Sequence, residues 1–236
     1  MKKRTFAAIL AVILVAAMLC GCSSKSASGG TGSGSASQLG KVKLYKALQW
    51  YTEDGTPSEV SHYDNAGHLI LISMYDAEGH LNYMTDLILT DETEGISTAA
   101  VEAMDGVETV EVRKCLRGED RESIVNPSFY VLGYNHQGRL AAAQVLVEYE
   151  GELIVYHTAQ YFFDEKGFEI GLKTTLGSGE VSFERTDENT VDAGAVVAKT
   201  AQYVYYGEVV FEDGQYVLRA FDAPITQTKT CECSYY

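Results

Sequence analysis

A short motif recurs through this chain and constrains its fold more than any other feature. Each copy holds an aromatic residue, a polar residue, two variable residues and a glycine, and the last copy is one residue shorter. The copies lie at 51–55 (YTEDG), 63–67 (YDNAG), 75–79 (YDAEG), 134–138 (YNHQG), 163–167 (FDEKG) and 211–214 (FEDG). Asx residues and glycine supply turn conformations, and about eight residues between turns make a typical strand. Each copy therefore predicts one strand and one turn.

The second half of the chain shows the same alternation of apolar and polar residues, broken by turn signals. Strands are predicted at 129–134, 140–149, 153–163, 168–176, 181–185, 196–211, 216–221 and 225–234. Gly207, inside one of these runs, indicates a bulge or bend. Units of this kind cannot bury a face alone, so they stack. The sequence therefore predicts an all-β fold, an antiparallel meander of hairpins that forms a curved sheet or sandwich.

Residues 96–116 allow two interpretations. Asp105 and Gly106 separate two extended runs, and a dipeptide of this type is a strong hairpin signal. A short helix near 97–104 is the alternative, because Ser and Thr at its start can cap it and three alanines favour it. We favour the hairpin and keep the short helix open.

The copies at 51–81 and 134–140 resemble the tyrosine-aspartate (YD) repeats of bacterial toxin shells and related surface proteins. In both stretches the motif extends to an aromatic-Asx-x-x-Gly-x-Leu pattern, apart from the first copy. In that family such units build long antiparallel sheets. The resemblance implies a scaffold rather than a catalyst.

The N-terminal residues carry a second recognisable pattern. Three cations precede an uncharged apolar run over 6–19, which runs into LCGC at 19–22. This order is typical of a secretory signal peptide, and the run is too short for a spanning helix. LCGC resembles the lipobox of bacterial lipoproteins, in which signal peptidase II cuts before a diacylglyceryl-modified cysteine. The resemblance implies a signal peptide at 1–21, lipidation of Cys22 and a location on the extracytoplasmic face of the cell membrane, with plain secretion as the alternative.

Composition divides the rest of the chain. Residues 22–40 hold the expected lipidated cysteine and a Ser/Gly-rich tether, which we expect to be disordered. Its residues after the cysteine would span roughly 20–25 Å. Residues 41–236 form the β-rich extracytoplasmic domain. The charged stretch before Pro127 predicts an exposed loop, so an internal boundary, if the domain has one, lies near 117–127.

Charge excludes several kinds of partner. The chain has 18 Lys and Arg against 33 Asp and Glu. Removing 1–21, which holds three of these cations and no acid, leaves 15 against 33 and a net charge of −18. The sequence offers no basic stripe that could release counterions from nucleic acid or anionic headgroups. We therefore expect no nucleic-acid partner, and attachment to the membrane through the N-terminal lipid.

Metal binding is not predicted. His62, His68 and His80 lie near two repeat turns. However, His68 and His80 each directly follow the glycine of a repeat turn, a position that any polar residue can occupy, so their recurrence does not indicate a metal site. The acidic stretch at 187–192 comes nearest to a calcium loop. Val191 stands there where an oxygen ligand belongs, so we expect a solvated turn.

Catalysis also lacks a candidate group of residues. Glu148, Glu150 and Glu152 could suggest paired carboxylates, but a turn at 150–151 would leave them exposed, with nothing to raise a pKa. The sequence contains no Gly-x-Ser-x-Gly, no His-Glu-x-x-His and no phosphate-cradling glycine loop. No catalytic residue and no cofactor is predicted.

Three cysteines, Cys115, Cys231 and Cys233, remain beyond Cys22, in a compartment where disulfides persist. On an extended strand, positions 231 and 233 point to one face. Either can then pair with Cys115, whereas a bond between the two would distort the strand. Three reduced, partly buried thiols are an equal alternative.

Tyr51, Tyr63 and Tyr75 recur in phase and form the candidate aromatic binding surface, although packing beside the turns is the favoured interpretation. We interpret the chain as a membrane-anchored cell-envelope lipoprotein. Its domain is a noncatalytic binding or structural module, with an unknown envelope protein or saccharide as ligand. The alternatives are an extracytoplasmic hydrolase of wall glycans and a lipid carrier built as a curved half-barrel.

Overall fold

The structure, a computed structural model, describes residues 45–117 and 127–236. In these residues the elements are β1 Tyr45–Tyr51, β2 Pro57–Tyr63, β3 Leu69–Tyr75, β4 Leu81–Leu89, α1 Ala99–Glu102, β5 Thr109–Arg117, β6 Phe129–Tyr134, β7 Leu140–Tyr149, β8 Glu152–Phe163, β9 Glu169–Leu176, β10 Val181–Asp192, β11 Ala195–Glu212 and β12 Gln215–Tyr235. Cys22, the tether at 22–40 and most of the loop at 117–127 lie outside the described residues.

The strands form one closed antiparallel barrel. Each strand pairs with the next along the chain, and β12 returns to pair with β1. The all-β meander is confirmed, but its shape is corrected: the sheet closes on itself instead of forming an open curved sheet or a sandwich. Closure depends on pairs such as Tyr51 opposite Thr230. Partners so far apart in sequence leave no local pattern from which closure could be predicted.

The repeat turns are built by the residue that follows the aromatic one. The Oδ1 atom of Asp64 accepts hydrogen bonds from the N–H groups of Ala66 and His68, both at 2.9 Å. The equivalent residues of three other copies hold the same pair of bonds: Asp76, Asn135 and Asp164. Gly67 closes the first of these turns with a φ of +89°. The predicted turn chemistry is therefore confirmed.

β12 joins two predicted strands, 216–221 and 225–234, through an irregular stretch. Between them, four residues of β12 stand opposite Tyr206 of β11 alone. Gly207 follows directly, where a Cβ atom would overlap the carbonyl oxygen of Arg219. The bulge predicted at Gly207 is confirmed.

The segment before β5 holds the helix that was the alternative, so the hairpin over 96–116 is wrong. Val101 of α1 is fully buried on the outside of the barrel, over β5, β6 and β7. Gly133 on β6 makes room for it, because a Cβ atom there would lie 2.7 Å from the Val101 side chain. The outer face of these strands is apolar through Val112, Val131, Ala142 and Leu146. Packing onto this face decides between helix and hairpin.

Side chains fill the interior of the barrel, and many of them are aromatic. Trp50 meets Tyr203 edge to face, with ring centroids 6.1 Å apart. Tyr203 in turn stacks with Tyr205 and Phe183. The described barrel therefore has a packed core of side chains, as small barrels do.

Candidate functional site

The two ends of the barrel differ in what they carry. Because the chain runs up and down, β1 begins and β12 ends at the same end, which we call the terminal end. The turn at 64–68 also lies there. The opposite end, which we call the distal end, holds the turns at 52–56, 76–80, 150–151 and 213–214.

A hairpin folds over part of the distal end. The tip of β11 and β12 extends past the strands beside it, and Phe211 meets Tyr149 with ring centroids 4.7 Å apart. Tyr216 meets Tyr156 at the same centroid distance. The hairpin thereby reaches β7 and β8 across the barrel. The part of the distal end beside β1 is not reached by these contacts.

A cavity opens at that remaining part, where β1 leaves β12. β1 pairs with β12 only over Thr230–Tyr235. After Tyr51, which lies opposite Thr230, the chain turns away from β12 towards β2. The cavity has a volume of about 350 Å³. It is lined by Thr52, Glu53, Asp54, Thr226, Gln227, Thr228 and Lys229. Volume and lining are compatible with a small polar ligand.

Lys229 connects this cavity to the interior. Its Nζ atom lies 5.1 Å from the centroid of the Tyr203 ring, a cation–π contact. Burial lowers the pKa of Lys229, and the charge of Glu59 opposes this shift. Lys229 therefore lines the cavity, and its amine is poorly solvated.

Behind Lys229 lies a layer of aromatic and charged side chains. The Arg185 guanidinium is 5.3 Å from the Trp50 ring and 5.9 Å from the Tyr203 ring. The Glu59 carboxylate accepts a hydrogen bond from the Ser61 hydroxyl at 2.9 Å. Burial raises the pKa of Glu59 to about 7, although this hydrogen bond and the nearby cations lower it. The interior thus holds charge directly behind the cavity.

A fully buried ion-pair cluster follows further inside, formed by Arg185, Glu169, Asp187 and Lys199. Arg185 pairs with Glu169, and its Nε lies 2.7 Å from Oδ1 of Asp187. The Lys199 amine lies 3.6 Å from Glu169 and 3.4 Å from Asp187. All four side chains have no solvent exposure. Two acids face two cations without access for a substrate, so the cluster is structural.

The cysteines of β12 point into the same interior. Cys231 is buried and Cys233 is half-buried. A hydrogen bond with Cys231 lowers the pKa of Cys233, burial raises it, and the charge of Lys199 lowers it. Cys115 on β5 is also directed inward, and burial raises the pKa of its thiol. All three thiols are free in the structure. A disulfide from Cys115 to Cys231 or Cys233 stays a prediction.

The structure does not bring the three repeat tyrosines together. Tyr51 ends β1 and Tyr75 ends β3, both at the distal end, whereas Tyr63 ends β2 at the terminal end. Tyr63 is buried against Tyr45 at a centroid distance of 6.4 Å. The Tyr51 hydroxyl donates to Glu232 at 3.2 Å. A repeat of twelve residues places successive copies at opposite ends of a meander, so a continuous aromatic row is not formed.

The histidines and the acidic stretch occupy ordinary places. His68 lies 3.5 Å from its turn partner Asp64, and His80 lies at the other end of the barrel, 3.6 Å from Asp76. In the described residues, no group of three or more His, Cys, Asp and Glu side chains is placed to hold a metal ion.

The solvated turn expected at 187–192 is wrong, because β10 continues through this stretch and buries Asp187. The exposure expected for the three glutamates around the β7–β8 turn is confirmed for Glu148, Glu150 and Glu152.

Sequence reasoning missed Lys229 and the buried cluster. A signal was present, since Arg185 and Asp187 alternate with outward residues in phase with the buried Phe183. Charged residues on an apolar face indicate buried ion pairs. Lys229 follows the same inward phase as Cys231. Only the closed barrel shows that these positions converge.

Comparison with known proteins adds little to this geometry. No family model and no curated protein matches the chain. A porin-like protein from Bacteroides uniformis is a weak structural neighbour, with 10% sequence identity, coverage of 81% of this chain and 98% of that chain, and a TM-score of 0.28. At that TM-score the likeness is too weak to inform the fold or function of this chain. Within the described part of the chain, no helix is both long and apolar enough to cross a membrane.

Proposed function

We propose that this chain is a noncatalytic binding module, held at the extracytoplasmic face of the cell membrane by a lipid on Cys22. Its ligand binds at the distal end of the barrel. The observation that carries this proposal is the separation of the two ends: β1 begins at the terminal end, and the cavity opens at the distal end. Tyr45, the first described residue, lies at the terminal end, so an anchor on Cys22 attaches to the end of the barrel opposite the cavity.

The outer wall of the barrel supports anchoring rather than insertion. Outward positions on three adjacent strands carry polar and charged side chains: Thr186, Glu188, Thr200, Gln202, Thr230 and Glu232. A barrel that crosses a bilayer presents a continuous apolar band at such positions. Exposed apolar side chains also occur on the wall, among them Met84 and Ile88 on β4, Ile170 on β9 and Val197 on β11, and Asp86 lies between the first two. The wall suits an aqueous setting.

The packed interior favours this function over the two alternatives. A lipid carrier needs an apolar chamber, whereas Trp50, Tyr130 and Tyr203 are buried with many others in one core cluster inside this barrel. A wall hydrolase needs accessible paired carboxylates. The paired acids of the interior, Glu169 and Asp187, are neutralised by cations and fully buried.

Ligand binding is tested with the full-length protein in detergent micelles. Amino acids, short peptides and oligosaccharides are screened by thermal shift and then by calorimetry. A ligand should raise the melting temperature by several degrees at saturation, because it binds only the folded state. Thr228→Trp, which fills the cavity, should abolish this rise. Thr200→Trp, an outward position on the wall, should retain it. A rise that survives Thr228→Trp would place the ligand elsewhere.

Anchoring is tested separately in cells. Cys22→Ala should abolish incorporation of labelled fatty acid and release the domain from the membrane, because two acyl chains give stable attachment. Unchanged labelling and retention would contradict the lipid anchor without affecting the cavity.

A further inference from the structure

Building on the proposed function, we infer that the cavity takes a ligand with both a free carboxylate and a free amine, an amino acid or short peptide. The seven lining residues carry the two kinds of charge that such a ligand needs. Lys229 is the only cation among them, and Glu53 and Asp54 are the only acids. The cation belongs to β12 and the two acids to the β1–β2 turn, so they stand on separate walls.

The carboxylate binds at Lys229. Lys229 lines the cavity and is half-buried, and its amine is held in a cation–π contact with Tyr203. A poorly solvated cation gains more from a carboxylate than an exposed one, because the local dielectric constant is lower. Glu59 sits behind Lys229 and is itself bonded to Ser61. The ligand carboxylate therefore approaches from the cavity side.

The amine binds at the turn. Glu53 and Asp54 are both exposed at the outer wall of the cavity. Oδ1 of Asp54 accepts a hydrogen bond from the Thr56 N–H at 3.1 Å, and the pKa of Asp54 is lowered chiefly by its bond with Thr52. The turn thus holds an ionised carboxylate in a fixed place. Glu53 beside it adds a second negative charge.

The backbone between these walls suits a peptide. Along Thr226–Lys229 β12 pairs with β11 on one side, while β1 pairs with β12 only from Thr230 on. The described residues therefore place no strand along the other edge of this stretch. An extended ligand can add main-chain hydrogen bonds there, as in β-strand addition. None of the seven lining side chains is aromatic, so a sugar ring would find no stacking surface in the lining.

The test uses isothermal titration calorimetry with full-length protein in detergent micelles and three probes of nearly equal size. Dialanine carries both charges, dialanine amide lacks the carboxylate, and N-acetyl-dialanine lacks the amine. Dialanine should bind at least about tenfold more tightly than the amide, because the amide leaves Lys229 without its partner. Acetylation should weaken binding by about threefold or more, because the turn is more exposed than Lys229.

Variants assign each charge to its wall. Lys229→Met should weaken the binding of dialanine by at least about tenfold while hardly changing the weak binding of dialanine amide. Lys229→Arg, which keeps the charge, should stay within about threefold of wild type and guards against a folding defect. Glu53→Gln should weaken the binding of dialanine but not that of N-acetyl-dialanine, which has no free amine. Lys173→Met, which removes an exposed lysine from the outer wall, is the matched control and should change nothing.

The outcomes separate this inference from the proposed function. Equal affinity for the three probes, or undiminished dialanine binding by Lys229→Met, overturns the inference. An uncharged ligand that Thr228→Trp displaces, with no dialanine binding, also overturns it and leaves the proposed function standing. Dialanine binding that depends on both charges and on Lys229 supports both.

Discussion

The part of the barrel from β1 to β4 and the part from β9 to β11 share one meander but are held together differently. In the first part, each turn is fixed by its own residues, as when Asp64 bonds to Ala66 and His68. In the second part, ion pairs between strands fill the interior, and Arg185 on β10 contacts Glu169 on β9. The first part therefore depends on local turn chemistry and the second on ion pairs between neighbouring strands.

The largest expected effect lies in the second part. Arg185→Met leaves Glu169 and Asp187 buried with Lys199 as their remaining ion-pair partner, and should lower the free energy of unfolding by about 3–5 kcal/mol. Denaturant titration measures the change. Lys173→Met removes an exposed pair, with both side chains more than 40% exposed, and should cost about 0–1 kcal/mol. Equal losses for the two variants would show that the buried cluster contributes no more than a surface pair.

Glu59 is the buried acid of the first part and gives it a pH dependence. Burial raises its pKa from 4.5 to about 7. Between pH 4.5 and pH 7, Glu59 is therefore protonated in the folded state but ionised in the unfolded state. Stability is therefore lost as pH rises from about 4.5 through 7. Between pH 5 and pH 8, the free energy of unfolding of the wild type should fall by on the order of 2 kcal/mol more than that of Glu59→Gln. Thermal melts across this range measure the difference, and parallel curves would contradict it.

The turns of the first part combine a moderate expected effect at the glycines with the smallest expected effect at the histidines. Gly67 and Gly79 have φ values of +89° and +79°, where a β-branched residue is strained. Gly67→Val or Gly79→Val should each cost about 1–3 kcal/mol, whereas His68→Gln or His80→Gln should change stability by less than about 0.5 kcal/mol. Melting curves with and without zinc provide the check. Early melting of the histidine variants, or a zinc-induced rise that needs both histidines, would argue for a metal site instead.

The same division explains what could be predicted from the sequence. The turns at 64–68 and 76–80, the strand β7 and the bulge at Gly207 all follow from neighbouring residues, and all were predicted. α1 was only the second choice, because it depends on Val101 packing over Gly133, a contact that no local pattern shows. Closure of the barrel depends on the pairing of β1 with β12, and the interior charges converge through the pairing of β9, β10 and β11.

The candidate site was missed for a related reason. Lys229 looks like an ordinary strand residue in the sequence, and the acids at 53 and 54 look like an ordinary turn. They meet only because β12 returns to β1 and then separates from it beyond Thr230. Tyr51, Tyr63 and Tyr75 show the opposite error: they share a period in sequence but alternate between ends in space.

The pairing of β1 with β12 also bears on how the chain reaches its folded state. The hydrogen bond from Tyr51 to Glu232 joins residues 181 positions apart. Contacts of such separation slow folding, since the entropy of bringing them together is lost before they contribute. A chain that is secreted N-terminus first leaves β1 with an open edge until β12 emerges. An unpaired strand edge invites association with other chains. For the secreted protein proposed above, this period of exposure would end only when the last strand emerges.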